Sequence, residues 1–341
     1  MSLTDQMRVV ILGAGPAGTS CAIRLLESGF KVTIIEARKF PRQMPGETLH
    51  PGIEPLLKQL QIFNAVEEKN FIRHNGISVV AEGKENFQFY NESADWRGFQ
   101  LYRKDFDEIL LKKALALGAE YFEETSPQKI VQENGTIKAI VTDRNVVYGN
   151  VFIDATGKSA WLARQLKIRY EKHSPKLIIY YGYVQTNESG LFEHPSMIWD
   201  KGGWTWISRV TKEKVVWNRV NLPNEVRPPI NWVPEQIKNC FPIGSIKAAD
   251  VTWRIARKLS NKNYFFVGDS AFVLDPSSSQ GVTKAIMSGI MVAHLLKAET
   301  NGVSRKEIHD YYESWLNQWF NENTESLRKI YEKNGFNLAT I

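Results

Sequence analysis

The chain has 341 residues, of which 43% are apolar, with 43 Lys and Arg against 37 Asp and Glu and a net charge of +6. This length predicts one large domain or two interlocked domains, and the apolar fraction excludes a disordered chain. Two cysteines, Cys21 and Cys240, cannot build a disulfide framework, so we expect a reducing, cytoplasmic setting. No signal peptide is visible, and the longest apolar stretch, residues 285–296, is too short and too interrupted to span a bilayer.

Residues 8–36 have the pattern of a strand, a glycine turn, a helix and a second strand. The strand segments, 8–12 and 30–36, are mostly apolar, which is typical of strands buried on both faces of a parallel sheet. Gly29 stands where a glycine commonly ends a helix. The N-terminus therefore predicts the first unit of an α/β fold.

The glycine turn has the form Gly-x-Gly-x-x-Gly, and an acidic residue ends the second strand. The first glycine permits a tight turn, the second lets the backbone approach a pyrophosphate, and the third allows the helix to pack closely on the strand. The helix N-terminus favours phosphate charge, and the acidic residue can accept hydrogen bonds from a ribose. This pattern predicts a dinucleotide site; the alternative is a purely structural turn. The residues concerned are Gly13, Gly15, Pro16, Ala17, Gly18 and Glu36.

The rest of the chain alternates between α/β and β-rich segments. Residues 76–102 predict a hairpin and 106–117 a helix, followed by a third sheet strand near 151–157. The alternating pattern of 161–259 indicates an antiparallel sheet, and 264–297 return to strand, loop and helix. We therefore predict an α/β fold with an α+β second domain.

The two domains interleave in the sequence. Residues 1–75, 103–160 and 260–300 are assigned to the dinucleotide-binding domain, and 76–102 and 161–259 to a substrate domain. Residues 301–341 predict a helix packed across both domains, through an apolar stripe that consists of Ile308, Tyr312, Trp315 and Trp319. An exposed stripe would instead imply a partner protein.

Gly268 and Asp269 follow the apolar strand 265–267 directly, and Pro276 and the sequence Gln280-Gly281-Val282 come after them. This arrangement resembles the FAD-dependent monooxygenase superfamily, which includes p-hydroxybenzoate hydroxylase, the geranylgeranyl reductases and the flavin-dependent tryptophan halogenases. The resemblance implies that Asp269 binds the ribityl chain of FAD. It also implies that the backbone from Pro276 to Val282 lies near the flavin ring, where a helix N-terminus stabilises the reduced anion.

Three more segments are similar to the family. Residues 40–47 resemble a segment of the reductase and halogenase branches, with Pro45 in place of the cysteine of the reductases, while Arg103 and residues 154–159 resemble two further FAD-contacting segments. The implied fold is a Rossmann-like FAD-binding domain with a three-layer ββα sandwich plus a mostly antiparallel β-sheet substrate domain. The residues implied to bind FAD are Arg42, Glu47, Arg103, Gly157, Gly268, Asp269, Pro276, Gln280, Gly281 and Val282.

The resemblance implies a monooxygenase that hydroxylates an aromatic substrate, such as an indole or a protein-borne tryptophan, through a flavin C4a-hydroperoxide. Three alternatives stay open: a double-bond reductase of the geranylgeranyl type, a halogenase, and a flavoprotein that docks and modifies a protein partner. Residues 204–208 resemble the halogenase Trp-x-Trp-x-Ile-Pro signature without its proline. The halogenase lysine and glutamate align with His74 and Ser278, which disfavours halogenation.

The predicted substrate contacts are Tyr181, Trp204 and Trp206, although aromatic residues on strands often serve only in packing. The catalytic group is unknown, with His50 as candidate, because imidazole titrates near neutral pH. The alternative is that His50 starts a helix before Pro51. The other histidines show no metal-ligand spacing, so no metal site is expected.

The sequence also bears on the source of the electrons that reduce the flavin. No second glycine-rich unit is visible for a nicotinamide cofactor, so the electrons come from NAD(P)H bound in the cleft or from a separate flavin reductase.

Residues 161–259 contain 16 Lys and Arg and 8 Asp and Glu, a net charge of +8. This excess predicts an anionic substrate, either an aromatic small molecule or an acidic protein or peptide, and we expect no nucleic-acid partner.

Overall fold

The computed structural model describes residues 7–338 except 94, 189, 223, 224 and 230. The strands of its first half are Arg8–Leu12 (β1), Lys31–Ile35 (β2), Thr48–Leu49 (β3), Ile72–His74 (β4), Gly76–Ala81 (β5), Lys84–Phe89 (β6), Gly98–Gln100 (β7), Glu120–Phe122 (β8), Pro127–Glu133 (β9), Thr136–Thr142 (β10) and Val146–Tyr148 (β11). Those of its second half are Val151–Asp154 (β12), Tyr170–Lys172 (β13), Ile178–Gln185 (β14), Ser196–Asp200 (β15), Gly203–Arg209 (β16), Lys214–Asn221 (β17), Phe241–Asp250 (β18), Arg254–Ala256 (β19), Ser260–Asn261 (β20), Tyr264–Phe266 (β21) and Phe272–Val273 (β22). The α-helices are Pro16–Glu27 (α1), Glu54–Gln59 (α2), Phe63–Glu67 (α3), Arg103–Ala116 (α4), Trp161–Gln165 (α5), Gly281–Thr300 (α6) and Arg305–Lys333 (α7).

The first large sheet has six strands in the order β20-β21-β12-β1-β2-β8. Its pairings are parallel except for that of β20 with β21. Ile11 faces Gly18 of α1, and Val10, on the opposite face, lies against Gly149 beside the antiparallel strands β9–β11. Both faces of β1 are therefore covered, which explains its continuous apolar sequence and confirms the predicted α/β fold.

The second large sheet, which we call the roof sheet, has seven strands in the order β18-β14-β17-β16-β15-β5-β6. It is antiparallel except between β5 and β15, as predicted for the second sheet. Alternation along the strands separates its two faces: Trp204 packs with Ile179 on one, and Ile207 with Trp217 on the other. A small sheet of β3, β7 and β4 lies between residues 48 and 100 of the chain.

Helix α7 begins with a capping box, in which the Glu307 amide donates to the Ser304 hydroxyl and the Ser304 amide donates to the Glu307 carboxylate. Its buried hydrophobic residues are Ile308, Tyr312, Leu316, Phe320, Leu327 and Tyr331. The sequence placed Trp315 and Trp319 in this stripe, but both are only half-buried, because the i, i+4 row from Ile308 runs through Leu316 and Phe320. The first four residues join the core of the six-stranded sheet, and the last two join the core beneath the roof sheet.

The domain boundaries proposed from the sequence remain a prediction.

Both cysteines are free thiols: Cys21 is buried and Cys240 is half-buried. Burial raises the pKa of Cys21 far above its usual value. Among the described helices, none is both long and apolar enough to cross a membrane.

Candidate active site

A cavity of about 850 Å³ extends from the glycine turn after β1 to the inner face of the roof sheet. Eighteen of the twenty predicted site residues line it: Gly13, Gly15, Pro16, Ala17, Glu36, Arg42, Glu47, Arg103, Gly157, Tyr181, Trp204, Trp206, Gly268, Asp269, Pro276, Gln280, Gly281 and Val282. Gly18 and His50 do not line it. The tertiary structure thus brings nearly all of the predicted site residues to one cavity, while their individual roles stay predictions.

The three glycines of the turn have different surroundings. A Cβ added at Gly13, whose φ is +102°, would lie 2.5 Å from the Ala155 carbonyl oxygen. A Cβ at Gly18 would lie 2.0 Å from the Gly13 carbonyl oxygen, which explains why Gly18 packs and does not face the cavity. Gly15 meets only the Arg42 guanidinium, 3.3 Å away, so its backbone is open to the cavity at the start of α1.

Glu36 lies at the end of the second strand, beside the glycine turn. Its carboxylate accepts hydrogen bonds from the amides of Ala14, at 2.8 Å, and Arg38, at 2.9 Å. These contacts use one lone pair on each oxygen, so the carboxylate keeps acceptor capacity for a ligand. The geometry fits the predicted contact with a ribose.

Arg103 is oriented by Asp107, which belongs to the same family-like segment but to which the sequence assigned no role. Asp107, one turn later on α4 and fully buried, accepts two hydrogen bonds from the Arg103 guanidinium, at 2.8 and 2.9 Å. Burial acts to lower the pKa of Arg103, but Asp107, together with Glu47 and Asp269, outweighs it, and the net pKa is raised. Arg42 also reaches Asp107, at 3.3 Å. The i, i+4 spacing of Arg103 and Asp107 was the available signal.

Glu47 is buried at the boundary between the two large sheets. Its Oε1 accepts a 2.5 Å hydrogen bond from the Tyr183 hydroxyl of the roof sheet, and its Oε2 accepts from the Gly46 amide at 2.8 Å. Burial raises the pKa of Glu47, although Tyr183, Gly46 and Arg103 all act to lower it. Glu47 therefore connects the segment 40–47 to strand β14.

Asp269 forms an ion pair with a second residue that the sequence analysis did not single out. Lys284 of α6 lies with its Nζ 2.7 Å from Asp269 Oδ1 and also donates to the Phe272 carbonyl oxygen at 2.8 Å. Burial acts to raise the pKa of Asp269, but Lys284 and then Lys158 outweigh it and hold the pKa below its usual range. All three charged residues line the cavity.

The segment before α6 is held by a buried polar network. Asp275 accepts from the Ser277 amide at 3.0 Å, from Trp253 Nε1 at 2.6 Å and from the Tyr331 hydroxyl at 3.2 Å. The Tyr331 hydroxyl in turn accepts from Trp204 Nε1 at 2.8 Å. The last turns of α7 thus connect the roof sheet to the segment that starts α6.

Two histidines of the sequence analysis lie outside the cavity. His50 caps the turn Pro51–Ile53, where its Nδ1 accepts from the Gly52 amide at 3.1 Å and its ring packs edge-on against Tyr90 and Trp96. This position is that of the alternative, a helix-start residue, and a role of His50 as acid or base stays a prediction. His74 is only 1% exposed, and burial lowers its pKa to about 4, so it is neutral at pH 7.

The cavity offers what an extended dinucleotide cofactor requires: a side-chain-free turn at Gly15, acceptor capacity on Glu36, and a charged pair, Asp269 and Lys284, on its wall. A family model described as FAD binding domain matches residues 6–200, more than half of the chain. The chain belongs to the FAD-dependent monooxygenase/halogenase superfamily. It is accordingly an FAD-dependent enzyme, and the cofactor predicted from the sequence is confirmed.

Curated relatives of this superfamily member include several halogenases. The 1H-pyrrole-2-carbonyl-(peptidyl-carrier protein) brominase of Pseudoalteromonas luteoviolacea is 25% identical over 93% of this chain and 84% of its own length. The tryptophan 2-halogenase of Chondromyces crocatus is 26% identical over 87% of this chain and 62% of its own length.

Solved structures share the fold at lower identity. The flavin-dependent brominase Bmp2 superposes with a TM-score of 0.81 at 21% identity, covering 91% of this chain and 83% of the brominase. PqsL, a probable FAD-dependent monooxygenase from Pseudomonas aeruginosa, superposes with a TM-score of 0.77 at 16% identity, covering 94% and 95% of the two chains. The fold is therefore common to halogenases and monooxygenases, and it does not distinguish the two reactions.

Proposed function

We propose that this superfamily member is a monooxygenase that hydroxylates an electron-rich aromatic ring beneath the roof sheet. The observation that carries the proposal is the continuity of the cavity, which joins the FAD-binding turn and the start of α6 to Trp204 and Trp206. Both indoles already donate hydrogen bonds, Trp204 to Tyr331 and Trp206 to Thr48, so their rings are fixed as an apolar wall.

FAD, once bound and reduced, supplies the two electrons with which O₂ delivers one oxygen atom to the ring and the other to water. The chain's own residues place the ring and exclude bulk water. Trp204 is fully buried and Trp206 nearly so, which makes this end of the cavity the drier one. Arg103, fixed by Asp107, and the start of α6 at Gly281 contribute positive potential along the cofactor wall.

Halogenation is the second candidate, and the names of the relatives favour it. His74, aligned with the halogenase lysine in the sequence, supports hydroxylation instead. It is buried and neutral, and it does not line the cavity, so it cannot present a cation to a substrate. Ser278, aligned with the halogenase glutamate, does line the cavity but carries no carboxylate.

The deciding experiment supplies reduced holoenzyme with ¹⁸O₂ and a panel of indoles, phenols and pyrroles, with and without bromide, and analyses the products by mass spectrometry. We expect a hydroxylated product that carries one ¹⁸O atom, whether or not bromide is present. A brominated product formed only with bromide would support the halogenase, and a product reduced at a double bond without O₂ would support the reductase.

The source of electrons and the form of the substrate belong to the same proposal. The brominase relative is named for a substrate carried on a peptidyl-carrier protein, and the tryptophan halogenase for a free amino acid. We therefore include both a carrier-bound and a free form of each ring in the panel. NADH or NADPH is supplied alone or with a separate flavin reductase, and turnover with the nicotinamide alone would show that no reductase is required. The cytoplasmic location stays a prediction.

A further inference from the structure

The inner face of the roof sheet carries one polar row across four strands. In the strand register, Trp206 on β16 pairs with Asn218 on β17, Asn218 pairs with Tyr181 on β14, and Tyr181 pairs with Lys247 on β18. Directly paired residues project to the same face of a sheet, and all four side chains line the cavity. Residues that are far apart in sequence thus form one line of increasing polarity, from the buried indole to an exposed ammonium at the sheet edge.

The rows on either side of this polar row offer little to a polar ligand. On one side Ile179 pairs with Val220 and with Ala249, all apolar. On the other side Val216 pairs with Tyr183, whose hydroxyl is already donated to Glu47. The polar row is therefore a single track across an otherwise apolar surface.

Its polar side chains have no partners of their own. Within the part of the chain that the structure describes, Asn218, Tyr181 and Lys247 make no side-chain hydrogen bond and no ion pair. Asn218 and Tyr181 are half-buried and Lys247 is exposed, so their unpaired polar groups are available to a ligand that enters the cavity. The presence of Lys247 also has a structural explanation. It lies on the edge strand of the sheet, and lysines on edge strands prevent pairing with other chains.

The row also fixes the dimensions of that ligand. Neighbouring strands lie about 4.8 Å apart, so Trp206 and Lys247, three strands apart, are separated by roughly 14 Å along the row. A lysine side chain reaches back over part of this distance. A ligand with its ring beside Trp206 and a carboxylate several bonds away would meet the amide, the phenol and the ammonium in turn.

We propose that this row, Asn218, Tyr181 and Lys247, binds the anionic end of the substrate and selects an elongated aromatic carboxylate. The inference rests on the proposed function for the identity of the reacting ring, but the row itself is tested by binding alone. It also links the cavity to the basic segment 161–259, because Lys247 is the cation of that segment among the described residues that line the cavity, whereas Lys158 and Lys284 belong to other parts of the chain.

The test compares matched ligands by calorimetry on the FAD-loaded enzyme. The probes are indole-3-butyrate and 4-phenylbutyrate, each against its uncharged amide. We expect each carboxylate to bind on the order of tenfold more tightly than its amide. Lys247→Met should abolish that preference, and Lys247→Arg should keep it. Lys172→Met, which removes an exposed charge on β13 outside the cavity, should leave it unchanged.

The proposal is overturned if the wild-type enzyme binds carboxylate and amide equally, or binds none of the four probes. It is also overturned if Lys247→Met keeps the preference, which would leave Lys247 with the edge-protecting role alone. Failure of the hydroxylation assay is a separate result: a carboxylate preference that depends on Lys247, without any hydroxylated product, would reject the proposed reaction and retain the binding row.

Discussion

The ammonium group of Lys284 lies 2.7 Å from Oδ1 of Asp269. Lys284 is only 5% exposed, whereas Asp269 is partly open to the cavity through the remainder of its carboxylate. One oxygen of Asp269 is therefore neutralised from within the protein, while Oδ2 has no hydrogen-bond partner among the described residues. This arrangement suits an aspartate that must stay ionised in a desolvated place and still accept a hydrogen bond from the cofactor.

Replacement of Asp269 by Ala should release FAD, because it removes the acceptor on the cavity wall. It also leaves the Lys284 ammonium buried without its partner, which costs up to about 3–5 kcal/mol in folding stability. Flavin absorbance per chain after purification measures the first effect, and thermal denaturation measures the second. Full flavin content in this variant would be incompatible with the role assigned to Asp269.

Lys284→Met should make FAD binding sensitive to mild acid. In the native protein the pKa of Asp269 is held low by Lys284, so the pair contributes stability above the unfolded pKa of Asp, about 3.9, and loses it only as the pH falls through the lower folded value. Without the lysine, burial is opposed only by the weaker effects of Lys158 and Arg254, so the pKa of Asp269 rises from its native value. Asp269 then becomes protonated at a higher pH than in the native protein.

We therefore expect the variant to lose flavin affinity between pH 7.5 and pH 5, while the native enzyme does not. Fluorescence titration of the apoprotein with FAD at both values measures this. Lys297→Met, which removes a charge from the same helix at a position that does not line the cavity, is the control. Parallel pH profiles for the two variants would contradict the prediction.

Gly18→Ala should destabilise the fold, because its Cβ would lie 2.0 Å from the Gly13 carbonyl oxygen, a backbone atom that cannot move aside cheaply. Overpacking of this kind costs about 1–3 kcal/mol. Gly281→Ala is the matched control for stability, since an added Cβ there meets no atom within 4 Å. Urea denaturation of both variants measures the difference, and equal midpoints would show that the turn is looser than described.

Tyr331→Phe should weaken the connection between the roof sheet and the segment before α6. The variant leaves Trp204 Nε1 without its acceptor and removes one donor to Asp275, with an expected cost of about 1–3 kcal/mol. Tyr311→Phe removes a hydroxyl from an exposed residue of the same helix and should change stability by less than about 0.5 kcal/mol. Denaturation midpoints that do not differ between the two variants would exclude a structural role for the network.

The affinity of the carboxylate probes should fall as salt rises. Residues 161–259 carry a net charge of +8, and exposed charges are screened over about 10 Å at 0.1 M salt and about 3 Å at 1 M. We expect the dissociation constant of indole-3-butyrate to increase between 50 mM and 500 mM NaCl, and that of its amide to stay constant. If both ligands showed the same salt dependence, the effect would arise from the protein and not from the anionic group of the ligand.

Several features of the site were accessible from local sequence. The turn Gly13 to Gly18 and Glu36 lie within one strand-turn-helix-strand unit, so short-range geometry places them once the pattern is recognised. The contact between Arg103 and Asp107 was not predicted, but it is also local, because Asp107 lies one helical turn from Arg103. His50 shows the limit of such reasoning: a titratable side chain near the expected flavin region caps a turn outside the cavity, and only its contacts reveal this.

The sequence by itself determined the α/β class and a dinucleotide site, because periodicity and glycine spacing are properties of contiguous segments. The choice of FAD, and the residues expected to contact it, came from the resemblance of separate segments to a known superfamily. Only the tertiary structure decided which distant side chains meet. The pairing of Lys284 with Asp269 depends on how α6 packs beside the segment after β21, and the row from Trp206 to Lys247 depends on the register of four strands. A slip of one residue in any of those pairings would turn the row to the opposite face, so the row is a property of the assembled sheet.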